Sequence, residues 1–147
     1  MRPLKILHVE DNEEDLALFG RACELAGLPL VSHTVGDGLQ AVAYLNGEGE
    51  FEDRRQHPLP DLIILDLNLP RMDGFGFLRW LRENSGFTVM PVLVFTISER
   101  MEDKTRALAE GAVGYFVKPK DFETLVKFAE SVAQFRANGQ HKNNEPT

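Results

Sequence analysis

Short apolar runs alternate with longer amphipathic stretches along this chain. Leu4-Lys5-Ile6-Leu7-His8-Val9, Leu62-Ile63-Ile64-Leu65, Pro91-Val92-Leu93-Val94-Phe95 and Gly114-Tyr115-Phe116-Val117 are brief and rich in β-branched or aromatic residues. Pro60 and Pro70 bracket the second of them. Runs this short and this apolar predict buried strands, and a further strand is predicted from Leu30 to Val35. The intervening stretches have helical periodicity. They predict helices from Asn12 or Glu13 to Ala26, from Asp37 to about Asn46, and from about Gly74 to Asn84. Two more follow, from just after Ser98 to Ala109 or Glu110 and from Asp121 to about Ala137. Gly27 is a natural helix stop, and Asp37 with Gln40 three residues later forms a capping box pattern. Thr96 with Glu99 has the same spacing.

Strands alternating with helices build parallel βαβ units with helices on both faces of one sheet. Five of each predict an α/β fold, a flavodoxin-like doubly wound parallel sheet of order 2-1-3-4-5. In such a sheet all strand C-termini lie along one edge, where ligands bind. Polar residues follow four of the strands: Glu10-Asp11, Asp66, Thr96 and Lys118. The second strand ends in Val35-Gly36 and brings none. The segment GEGEFEDRRQHPLP, residues 47–60, exceeds the usual connection. Its charges and glycines predict a solvated excursion or a partner contact.

A chain of 147 residues, 43% hydrophobic, suits one domain with its own core. We expect that domain over residues 1–137 and a disordered polar tail over 138–147. The net charge of −7 argues against nucleic-acid binding. Cys23 is the only cysteine, so no internal disulfide can form. No signal-peptide pattern and no apolar stretch of the ~18 residues needed for a membrane span is visible. A cytoplasmic protein is expected.

Glu10, Asp11 and Asp66 would repel one another in one crevice unless a cation joined them. An all-oxygen site favours Mg²⁺ or Mn²⁺ over zinc, and neither the histidines nor Cys23 have zinc spacing. An ammonium from Lys118 and a hydroxyl from Thr96 suit the oxygens of a transferring phosphoryl group. Asp66, central among the strand ends, is already ionised at neutral pH and needs no base to act as nucleophile.

These residues resemble those of a response-regulator receiver domain of two-component signalling, from about Leu4 to Phe135. The likeness rests on Glu10-Asp11, on Asp66 within LDLNLPRMDG, on Thr96 within VFTIS and on Lys118-Pro119 within GYFVKPK. It implies that Asp66 is the phosphoacceptor, that Asp11 and Asp66 give side-chain oxygens to Mg²⁺, and that Asn68 gives its backbone carbonyl. It implies that Glu10 acts through water, that Lys118 and Thr96 hold phosphoryl oxygens, and that Tyr115 is the switch aromatic. It also implies a cis bond between Lys118 and Pro119. Many members carry Asp where Glu10 stands. The long insert and the lack of an attached output domain are similar to the layout of stand-alone regulators served by phytochrome-type histidine kinases. Only self-phosphorylation and self-dephosphorylation are expected, with no enzymatic turnover.

Two other classes compete. A haloacid-dehalogenase-type phosphatase also uses an aspartyl-phosphate, but typically carries a second Asp two positions on, where Asn68 stands here. A scaffold that is never phosphorylated would not need the polar set. In the last helix, Phe122, Leu125, Val126, Ala129, Val132 and Ala133 form the stripe expected to face the sheet. Phe128 and Phe135 fall about 100° from it by helix geometry. They predict a homodimer or kinase-contact surface spanning the fourth and fifth helices.

Overall fold

The computed structural model describes residues 2–84 and 86–144, the last ten of these by backbone alone. Five strands, β1 (Leu4–Val9), β2 (Leu30–Val35), β3 (Leu62–Leu65), β4 (Val92–Thr96) and β5 (Gly114–Val117), form one parallel sheet of order β2-β1-β3-β4-β5. Between and after them run α1 (Glu13–Leu25), α2 (Gly38–Asn46), α3 (Gly74–Glu83), α4 (Met101–Ala109) and α5 (Phe122–Asn144). The sheet order and the flavodoxin-like class are those the alternating pattern predicts. Among the described residues no helix is long and apolar enough to cross a membrane.

Two cores follow from the strand pleat, which sends successive side chains to opposite faces. Leu7, Val9, Ile63, Leu65, Val92 and Val94 pack toward α2, α3 and α4, with Tyr44, Phe77 and Leu78. Leu4, Ile6, Leu62, Ile64, Leu93 and Phe95 pack toward α1 and α5, with Phe19 and Leu125. Because both faces are covered, β3 and β4 are buried throughout, which is why they read as unbroken apolar runs. His8 in β1 is buried with its ring edge-on to Phe19, a packed histidine and no ligand.

Side-chain caps start four helices, α5 among them through Asp121, which accepts from Thr124 N at 2.9 Å. Asn12 accepts from Asp15 N at 2.9 Å, Asp37 from Gln40 N at 2.8 Å and Asp73 from Gly76 N at 2.8 Å. The Thr96–Glu99 pattern is not a cap: α4 begins at Met101, with Arg100 at its N-cap and no side-chain hydrogen bond there.

Three expectations are refined or corrected. First, the 47–60 segment is exposed at most positions, as its charges and glycines predict, but it is also anchored. It contains a short 3-10 helix, Gly49–Phe51, whose Phe51 is buried against Tyr44 and His57. Arg54 turns back under it, donating from Nη1 to Tyr44 O and His57 O and from Nη2 to Leu45 O, at 2.8, 3.1 and 2.7 Å. The bond to Leu45 O serves a carbonyl in the last turn of α2, where backbone acceptors lack intrahelical partners, and the bond to Tyr44 O adds to the one that carbonyl accepts from Gly47 N. Second, Phe128 is core. It is 7% exposed and lies parallel to Phe95 with centroids 4.2 Å apart, close to Phe116 and Phe19. The buried stripe runs through Leu125, Phe128, Ala129 and Val132, rotated toward Phe128 because aromatic rings on α1, β4 and β5 open a pocket there. The side chain of Phe135, its predicted companion, lies outside the described residues. Third, α5 continues to Asn144, beyond the expected end near Ala137; residues 145–147 lie outside the described residues.

Candidate functional site

The sheet register brings the strand ends together. Glu10 follows β1 and donates its backbone N–H to Val35 O at 2.9 Å, and Asp66 follows β3 and donates to Val9 O at 3.0 Å. Thr96 ends β4, and Lys118 follows β5 with its N–H on Thr96 O at 2.7 Å. Carboxylate oxygens of Glu10, Asp11 and Asp66 lie within 4.8 Å of one another. Glu10, Asp66 and Thr96 are buried, whereas Asp11 is exposed.

Lys118 reaches into the same cluster. Its Nζ is 2.7 Å from Glu10 Oε1, 2.8 Å from Asp15 Oδ2 and 3.1 Å from Asp66 Oδ2. Asp66 Oδ1 accepts from Asn68 N at 3.2 Å. Gly74 allows this tight return of the loop: a Cβ there would stand 2.5 Å from Asp66 O. Asp15 was missed in the sequence. Its signal was weak, since Glu13-Glu14-Asp15 reads as acidic first-turn charge that favours the helix dipole.

Three carboxylates (Glu10, Asp15 and Asp66) contact the Lys118 ammonium, and Asp11 lies beside Glu10 and Asp66. Burial pushes the Glu10 carboxyl up to about 7, and the Asp66 charge adds to it, against the nearby Lys118 ammonium and a hydrogen bond from Asn12 N. Burial alone would lower Lys118, but its contacts with Asp15 and Glu10 and the Asp66 charge raise it above the ordinary lysine value. Glu10 Oε1 is close to Lys118 yet lacks an aligned hydrogen-bond donor. Crowded carboxylate oxygens, one of them buried without an aligned donor, fit a hard divalent cation such as Mg²⁺ or Mn²⁺.

One expectation is corrected, the cis bond before Pro119. Among the described residues no peptide bond is cis, so the Lys118–Pro119 bond is trans. Trans is the lower-energy isomer even before proline, and Lys118 reaches the acidic cluster from it. Tyr115 is half-buried with its hydroxyl donating to Ser98 O at 3.0 Å, which ties it to the segment just after Thr96.

The chain matches the response regulator receiver domain over residues 6–130. It is 32% identical over 133 residues to response regulator Rcp1 of Synechocystis sp., covering 90% of this chain and 88% of that one. A phosphorylated cyanobacterial phytochrome response regulator, RcpA, superposes with a TM-score of 0.82 at 32% identity, over 92% of this chain and 94% of that one. A Mn²⁺-bound form of Rcp1 gives 0.80 at 32% identity, over 90% and 94% of the two chains. Response regulators of this kind are phosphorylated by histidine kinases. The family match over residues 6–130, the identity to Rcp1 and the superposition on RcpA lead to one conclusion: this chain belongs to the response-regulator receiver family of two-component signalling.

Proposed function

We propose that Asp66 is the phosphoacceptor of a receiver switch and that a histidine kinase, of the phytochrome type, is the donor. The observation that carries this is the convergence of Glu10, Asp11 and Lys118 on the Asp66 carboxylate. Attack by a carboxylate oxygen of Asp66 forms a P–O bond as the P–N bond to the kinase histidine breaks. The product is an acyl phosphate, and the departing imidazole nitrogen takes a proton.

Each residue has a task in this reading. The buried walls at Thr96 and Glu10 limit access of water to the acceptor. Lys118 gives up part of its contact with Asp15 and Asp66 to neutralise a phosphoryl oxygen, and the Thr96 hydroxyl donates to another. Glu10, Asp11, Asp66 and the Asn68 carbonyl would hold Mg²⁺ or Mn²⁺, which supplies charge stabilisation to the developing phosphoryl oxygens. Movement of Thr96 toward the new group would release Tyr115 from Ser98 and carry the change to the α4 surface. That side exposes Met101, Leu108, Val113 and Val117, which we assign to dimerisation or kinase contact in place of the buried Phe128. The relationship to RcpA, a phytochrome response regulator, supports the phytochrome assignment.

The test is incubation with a small phosphodonor and Mg²⁺, read by intact mass and light scattering. The parent gains one phosphoryl group and Asp66→Asn gains none. Labelling of that variant at the same site contradicts the assignment. Repeated turnover of phosphate esters by the parent would instead favour a phosphatase.

A further inference from the structure

The connection from β3 to α3 leaves Asp66 and re-enters helix at Gly74, and one residue within it has an unusual backbone. Arg71 has a φ of 65°, the only left-handed non-glycine among the described residues. That region crowds the Cβ of an L-residue against its own backbone, so surrounding contacts must hold it there. Those contacts are visible. Nε and Nη2 of Arg71 each lie 2.9 Å from Asp37 Oδ2. The Asp37 carboxylate is buried, and its other oxygen caps α2 through Gln40 N. The neighbouring pair is joined as well: Gly38 N donates to Met72 O at 2.9 Å, and a Cβ on residue 38 would stand 2.4 Å from that oxygen.

Capping α2 needs only Oδ1 of Asp37, which an asparagine would supply equally well. A left-handed arginine is not required for that purpose. What the second oxygen does is clasp the start of α2 to residues 71–72. The near end of the same loop is tied to the phosphoacceptor, through Asn68 N on Asp66 Oδ1 and Gly74 N on Leu67 O at 3.0 Å. Asn68 lies three residues before Arg71, with Leu69 and Pro70 between. Its backbone is thus suspended between the acceptor carboxylate and the clasp.

We propose that Arg71 and Asp37 are positioning residues for the cation site: together they set where the Asn68 main chain stands against Asp66. This rests on the reading of Asp66 and its acidic neighbours given above. Arg71 itself pairs, among the described residues, with Asp37 and with none of the strand-end carboxylates. Its effect is therefore indirect, through the course of the loop.

Two variants separate positioning from stability. Arg71→Gly accepts the left-handed backbone without strain, and Asp37→Asn keeps the α2 cap. Binding of Mn²⁺ alone is followed by the paramagnetic signal of the free ion, alongside thermal unfolding. Each variant is expected to bind Mn²⁺ about tenfold more weakly, the size usual for residues that orient ligands, with little change in unfolding temperature. Labelling by a small phosphodonor should then need about tenfold more metal but reach the parent's rate at saturation. Unchanged Mn²⁺ affinity in Arg71→Gly overturns the proposal, as does a loss of stability with affinity intact. A parent that takes up no Mn²⁺ at all removes the site itself, and the clasp's role with it.

Discussion

Replacing Phe128 by alanine tests how α5 is seated. The ring is stacked on Phe95 at 4.2 Å with an interplanar angle of 2°, and lies 5.0 Å from Phe116 and 5.9 Å from Phe19. Withdrawing its apolar surface from water contributes roughly 2–3 kcal/mol. The paired rings add about 1 kcal/mol beyond area. A void walled by three other phenylalanines cannot collapse fully, which adds about 1 kcal/mol more. The expected loss for Phe128→Ala is therefore about 4 kcal/mol, within the range for such truncations. Phe128→Leu, which leaves most of the volume filled, should lose under about 2 kcal/mol. Urea unfolding followed by Trp80, the single tryptophan, gives the measurement. Trp80 packs with Phe77 on the opposite face of the sheet, so its signal reports cooperative unfolding rather than a local change. A loss below about 1 kcal/mol for Phe128→Ala would refute this packing argument, since a solvent-facing ring is the situation in which truncation is that mild.

Two further outcomes follow from other parts of the structure. Arg54→Ala should cost about 2 kcal/mol, because three carbonyl acceptors at the end of α2 and in the insert lose a charged donor; amide exchange over residues 47–58 should quicken with it, and unchanged exchange there would refute the anchoring. Burial raises the Cys23 thiol from 9.0 to about 12. The unfolded chain thus releases this proton first as pH rises above 9, so the stability Cys23 contributes is complete below 9 and is lost toward 12. At pH 10.5 the loss is about 2 kcal/mol. Urea midpoints of the parent should fall more steeply between pH 8 and 10.5 than those of Cys23→Ala, and parallel curves would contradict the assignment.

Much of the site was legible because strand ends carry their own marks. Asp66 after Leu62–Leu65, Glu10-Asp11 after β1, Thr96 at the end of β4 and Lys118 after β5 each interrupt an apolar run with a group that is costly to bury. A parallel sheet then has one edge on which they can meet. Asp15 was not legible, because first-turn acids are common on helices for reasons unrelated to any site. Nor was the Arg71–Asp37 pair, whose members are 34 residues apart with nothing in either neighbourhood to link them.

Periodicity, turn residues and caps are local properties, and they determined the five strands and five helices; their alternation then limited the sheet to a doubly wound parallel class. Side-chain partnership is not local. Helix angle alone put Phe128 outside the core stripe, yet rings from α1, β4 and β5 rotate the buried face of α5 toward it. Composition put residues 47–60 in solvent, where most of them are, but did not show that Arg54 reaches the Tyr44 and Leu45 carbonyls at the end of α2 or that Phe51 packs on Tyr44. Each outcome depends on which surfaces remain uncovered once the sheet has formed, and only packing in three dimensions decides that.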